Sequence, residues 1–327
     1  MMKDGLRRFA SILLFAGLAA QLAAAQDAPA RHYRAFDPKG AAVTLRQVVD
    51  SLAGADVLFV GETHDDAVAH LLEAELLRRA DEAYGAASAR GRSVALSLEM
   101  FERDVQTVLD EYLAGLITER HFLLSSRPWK NYETDYRPLV EYARAHRLPV
   151  VAANAPARYV SRVSSQGPDS LRALSKEATR EWLPPLPFPP ASAGYAAKFN
   201  RFMTGGAAAA PASAPAPQNP HAAASPANPH GGLHLLEAQT LRDASMAYAI
   251  SEQLRRGREP LVVQVNGTFH SEERMGVPEQ LARYRPKARA VVVTIVPGED
   301  FPDFDAASLG RLGDFVIITD PAAKGRD

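Results

Sequence analysis

A four-residue pattern, Gly-x-x-His, occurs twice, as Gly61-Glu62-Thr63-His64 and as Gly267-Thr268-Phe269-His270. Each copy follows a short apolar run with the character of a buried strand, Val57 to Val60 and Leu261 to Val265. Imidazole beside carboxylate suits a divalent metal such as zinc, manganese or iron. Two further apolar runs also end in polar groups. Val94 to Leu98 leads into Glu99, and Pro149 to Ala153 leads into Asn154. In parallel α/β sheets, ligands bind outside the carboxyl ends of the strands. Glu62, His64, Glu99, Asn154 and His270 are therefore expected along one rim. Glu62, His64, Glu99 and His270 make a metal set, with one glutamate available as general base on a metal-bound water. The glycine opening each copy lets the chain turn sharply and approach a ligand closely. The plain alternative is a hydrogen-bond network that holds no ligand.

A second group lies between Arg127 and Tyr142: Arg127, Pro128, Trp129, Tyr132, Tyr136, Arg137 and Tyr142. Aromatic rings interleaved with guanidinium groups suit a flat, apolar, anionic ligand, and a tyrosinate can ligate ferric iron. The same rings serve equally as packing that covers the sheet. Farther along, Gln239, Arg242, Asp243 and Met246 are spaced i, i+3, i+4, i+7 and form one helical stripe. That stripe either faces solvent or supports the rim, with Asp243 orienting a histidine. His70 shares a helix face with Ala74 and Leu77. It reads first as a satisfied core or rim histidine, and second as a ligand.

Positioning these groups takes alternating strands and helices. Helices are predicted over 67–84, capped by Asp65 or Asp66, and over 105–114, 138–146 and 235–256, the last stopped by Gly257. Further strands are predicted over 291–296 and 315–318. The alternation implies an α/β fold, a mainly parallel sheet with helices on both faces, in a single domain. Positions 205–232 interrupt it with 11 Ala, 6 Pro and 4 Gly. Such a stretch buries too little apolar surface to offset its ordering entropy, so a disordered insertion is expected. His221, His230 and His234, in or beside it, give it a secondary reading as a metal-scavenging loop.

The chain has 327 residues, a net charge of −1 and no cysteine. The first two facts leave room for one substantial core and supply no basic field for nucleic acid. Lack of cysteine excludes disulfides, thiolate-bound zinc, iron–sulfur clusters and a lipid-bearing cysteine. At the start, Lys3, Arg7 and Arg8 precede an apolar run from Phe9 to Ala25 that ends in three alanines. This is the pattern of a secretory signal cleaved near Ala25, with the folded domain spanning 26–327. A periplasmic or secreted protein, not a lipoprotein, is expected.

Five blocks fall in order along the chain: VLFVGETHDDAVAH from Val57 to His70, LSLEMF from Leu96 to Phe101, YRPLVEYARAHRLPVVAANAP from Tyr136 to Pro156, AQTLRDASMA from Ala238 to Ala247, and VNGTFH from Val265 to His270. Through them the sequence resembles the ChaN family of the wider TIKI/TraB/erythromycin-esterase-like superfamily. The resemblance implies an exported haem-binding protein linked to haem or iron uptake. It also implies an outer-membrane uptake system as partner and haem-mediated pairing of two subunits. Haem is then the cofactor, with His64, His270, Tyr136, Arg137, Asn154 and Asp243 around it. Tyr136, His64 and His270 are the candidate iron ligands, and Arg127, Arg137 or Arg158 would meet the propionates. Many family members are lipoproteins, which this cysteine-free leader does not match. More distant superfamily members imply a metal-dependent esterase or peptidase that uses Glu62, His64, Glu99 and His270. A partner-binding scaffold, in which the rim is purely structural, is the third reading.

Overall fold

The structure, a computed structural model, describes residues 30–204 and 233–323. The predicted leader and the 205–232 insertion, with His221 and His230, lie outside the described residues. Eight strands make one sheet. They are β1 (Tyr33–Phe36), β2 (Ala42–Val43), β3 (Val57–Glu62), β4 (Val94–Glu102), β5 (Val150–Asn154), β6 (Leu261–Gly267), β7 (Ala290–Pro297) and β8 (Phe315–Thr319). Their order is β2-β1-β8-β7-β3-β6-β4-β5. From β8 to β5 all neighbours run parallel. The hairpin β1–β2 adds two antiparallel strands at one edge.

The helices are α1 (Leu45–Asp50), α2 (Ala67–Tyr84), α3 (Gln106–Leu113), α4 (Glu119–Ser126), α5 (Arg137–His146), α6 (Ala157–Gln166), α7 (Lys176–Glu181), α8 (Ala193–Met203), α9 (Leu235–Gln253), α10 (Val277–Tyr284) and α11 (Ala306–Leu309). They cover both faces of the sheet, because side chains along a strand point alternately to either side. Leu58 and Val60 of β3 join Leu72, Leu76 and Leu77 of α2 in one core cluster. Val57 and Phe59 join Met246, Ala247 and Ile250 of α9 in another. Every residue of β3 and β6 is buried. That is why these strands read as continuous apolar runs and not as alternating ones. The α/β architecture with a mainly parallel sheet is thus the one found.

Two features place the site. The chain leaves β3 toward β4 and leaves β6 toward β7, in opposite directions, although β3 and β6 are neighbours. Their carboxyl ends therefore flank a topological switch point, the place where ligands bind in open α/β sheets. At the other end of the sheet the buried guanidinium of Arg92 ties the strand starts together, donating to the carbonyls of Leu52, Ala55, Glu259 and Pro260.

Candidate functional site

Glu62 ends β3 on the α2 side of the sheet and is 1% exposed. Its Oε1 accepts from the Tyr136 hydroxyl at 2.7 Å and lies 2.6 Å from His64 Nδ1. Tyr136 reaches it from a single π-helical turn, Tyr132–Tyr136, directly before α5. Such turns are rare and recur at functional sites. His64 lies beyond the strand, and its side chain is 25% exposed. The Trp129 ring meets it edge-on, 4.6 Å between centroids. With Nδ1 held by Glu62, Nε2 is turned toward Gly267. Burial by itself would lower the His64 pKa, but the Glu62 carboxylate outweighs it and lifts the imidazole to about 9.

Glu99 points to the opposite, α9 side. Strand alternation places it there, since Leu98 packs in the α2-side cluster, and the register shifts only beyond it: Leu98 pairs with Ala152, yet Glu102 pairs with Asn154. Glu99 Oε2 accepts from the Gly267 N–H at 2.8 Å, and Oε1 lies 3.2 Å from His270 Nε2. His270, on the one-turn helix that follows β6, has its Nδ1 2.5 Å from Asp243 Oδ1 of α9. Gln239 also reaches His270, at 3.2 Å. Burial works against both ionised forms. The two carboxylates nevertheless raise His270 to about 10, and His270 with His64 keeps Glu99 well below the usual carboxylate range. The stripe of α9 therefore faces the sheet, not solvent: Asp243 orients His270, and Met246 is a packing residue of the core. Arg242 is buried beside Glu99 and Asp243.

His64 joins the two halves of the rim. A Cβ added to Gly267 would lie 2.9 Å from His64 Nε2 and 3.7 Å from Glu99 Oε2. Neither Gly61 nor Gly267 is left-handed. Gly61 lies within β3, whereas at Gly267 the chain turns from β6 into a one-turn helix; both supply close approach, a Cβ on Gly61 meeting Ser271 Oγ at 2.9 Å.

Other expected residues take different places. Asn154 ends β5, fully buried, but its side-chain nitrogen and oxygen hydrogen-bond to nothing, so it stands outside the rim network. The guanidinium of Arg137 is gripped by Glu119 of α4, at 2.6 and 2.9 Å, instead of being held for a ligand. Arg127 pairs with Glu102 and Asp104, and Arg158 with Asp104. Trp129, Tyr132, Tyr136 and Tyr142 belong to the core, the packing role that the sequence left open. Glu62, His64, Glu99 and His270 share the rim without converging to ligand distance. Among the described residues, the donors that do lie within 4.8 Å of one another belong to Glu62, His70 and Glu73. His70 Nδ1 is 3.3 Å from Glu73 Oε2, and its Nε2 is 3.2 Å from the His64 carbonyl. Burial pushes the Glu73 carboxyl up to about 7, while Glu73 and Glu62 lift His70 to about 10 against the effect of burial. Glu73 carries no motif of its own in the sequence; its i, i+3 spacing from His70 is the signal that links the two.

A parallel sheet whose switch point carries two carboxylate-clamped imidazoles defines the class. The chain belongs to the haem-binding uptake family (Tiki superfamily, ChaN), whose model matches residues 48–281. In three dimensions it is similar to ChaN of Campylobacter jejuni, solved with cofacial haem, with a TM-score of 0.57 and 15% identity over 89% of this chain and 98% of that one. At that identity the likeness establishes the fold. In sequence it is 25% identical over 278 residues to the chloroplastic protein RETICULATA-RELATED 5 of Arabidopsis thaliana. The match takes in 81% of this chain but spans only 34% of that relative's length.

Proposed function

We propose that this protein binds haem at the β3–β6 switch point, with His64 Nε2 as the axial ligand, and serves haem or iron uptake after export. Family membership supports the class of ligand. The observation that carries the residue choice is the state of the three candidate ligands. Tyr136 is buried, its hydroxyl is committed to Glu62, and burial raises its pKa well above 10. His270 has both nitrogens engaged. His64 alone of the three combines a partly exposed ring with one nitrogen held by a carboxylate and the other in no hydrogen bond among the described residues. Nδ1 held by a carboxylate fixes the ring and raises the basicity of the ligating nitrogen.

When bound, haem would supply an iron centre able to accept the His64 imidazole, and the chain's own residues, Glu62 above all, would orient that imidazole. A porphyrin held through His64 alone would leave its other face available to a second subunit. That fits the haem-mediated pairing the resemblance implies and the cofacial haem of the Campylobacter jejuni protein.

Hemin titration of the purified protein tests the reading. A strong, saturable Soret band that collapses in His64→Ala, with a larger species on gel filtration, is the expected result. A titration that yields only the free-hemin spectrum overturns it. Export is checked separately: material secreted by a Gram-negative host should begin at Gln26.

A further inference from the structure

Inward of His64, between β3 and α2, two carboxylates and an imidazole face one another out of reach of solvent. Glu62, His70 and Glu73 are buried, and one donor atom from each lies within 4.8 Å of the others. Glu62 spends Oε1 on Tyr136 and His64, which leaves Oε2 with no hydrogen-bond partner. Glu73 turns Oε2 to His70, which leaves Oε1 with none. A buried carboxylate oxygen without a donor is rare and calls for an explanation. Here two of them belong to carboxylates from different elements that gather with one imidazole.

We propose that Glu62, His70 and Glu73 hold a divalent first-row transition-metal ion, separate from the haem position. Glu62 Oε2, Glu73 Oε1 and the imidazole of His70 are the ligands. Two carboxylates and one imidazole suit manganese, iron(II) or zinc better than calcium, which takes oxygen alone, or copper(I), which prefers sulfur. The surroundings are those of a supported metal site. Tyr136 donates to the spare oxygen of Glu62, and the second nitrogen of His70 is anchored on the His64 carbonyl, which fixes the ring. On α2, the i, i+3 spacing sets His70 and Glu73 on one face, as in the Glu-x-x-His pairs of carboxylate-bridged metal sites. Asp135 Oδ2, 3.6 Å from His70 Nε2, is partly exposed and marks the approach from solvent. This triad differs from the Glu62, His64, Glu99 and His270 set expected from the sequence. It does not depend on the haem reading, because Glu73 and His70 lie behind His64.

The full chain, purified without chelators and without hemin, is incubated with Mn²⁺ or Zn²⁺ alone. Free ion is removed, and metal is counted by elemental analysis and titrated by calorimetry. One ion per chain is expected, together with a metal-dependent rise in melting temperature. Glu73→Gln should lose at least tenfold in metal affinity while keeping its hemin Soret band. If that variant does not fold, His70→Gln replaces it, with circular dichroism to confirm the fold. No stoichiometric uptake of either ion overturns the proposal. So does a folded Glu73→Gln or His70→Gln that binds metal as tightly as the parent, since the ion then sits elsewhere.

Discussion

Each rim histidine is held by a carboxylate on one nitrogen, and the consequences differ with what meets the other. His270 is clamped on both sides, by Asp243 and Glu99. His64 is clamped on one side and abuts the bare backbone of Gly267 on the other. A methyl group at position 267 would stand 2.9 Å from Nε2 and 3.0 Å from Cε1, so the ring would have to swing away. Gly267 is not left-handed, so Gly267→Ala leaves the backbone unstrained and acts through this ring. Hemin affinity should fall about tenfold, or ~1.4 kcal/mol, with the melting temperature changed little. Calorimetric or spectroscopic titration of the variant checks this. Unchanged hemin binding would place the ligand away from His64.

At the scale of elements, α2 begins where the rim ends, and Asp66 fixes that start. Its carboxylate accepts from the Val68 and Ala69 N–H groups at 2.9 and 3.1 Å and also receives the Thr319 hydroxyl of β8. Asp66→Ala should therefore cost about 1–2 kcal/mol, read as a lower urea midpoint, while Asp66→Asn should retain most of the cap. Equal losses in the two variants would show that the capping geometry matters less than the charge. The strands and α2 were legible in the sequence because buried parallel strands give unbroken apolar runs and α2 carries a capping Asp followed by a helical pattern. The β1–β2 hairpin was not, since Tyr33–Phe36 and Ala42–Val43 are short edge strands without a periodic signal. Within the site, the polar strand ends pointed to Glu62, Glu99 and His270. The same rule misplaced Asn154 in the network, because a strand end says where a residue sits and not what its side chain meets. For Arg137, a guanidinium near an aromatic cluster says nothing about Glu119, eighteen positions earlier, with which it pairs in the structure.

Across the whole molecule, the switch point gathers charge inside the fold, and stability should follow pH accordingly. His270 carries a pKa of about 10 in the folded protein, against 6.5 unperturbed. A raised folded pKa means that the folded state binds the proton more tightly than the unfolded chain. The resulting stabilisation is complete below about pH 6.5 and is lost as pH rises from 6.5 toward 10. Glu99 has the opposite dependence. Its lowered pKa contributes above the unperturbed value of 4.5 and fades as pH falls below it. The two together confine their full contribution to the interval between about 4.5 and 6.5. Ligand-free protein should accordingly melt highest near pH 5–6 and progressively lower from pH 6.5 to 9.5 at constant ionic strength. In His270→Gln, where no imidazole remains between Asp243 and Glu99, the alkaline slope should become shallower, with His64 and His70 supplying what remains, even if the whole curve lies lower. A parent melting temperature that holds level or rises between pH 6.5 and 9.5 would mean that His270 is neutral in the folded protein and that its two carboxylates are balanced by Arg242 instead.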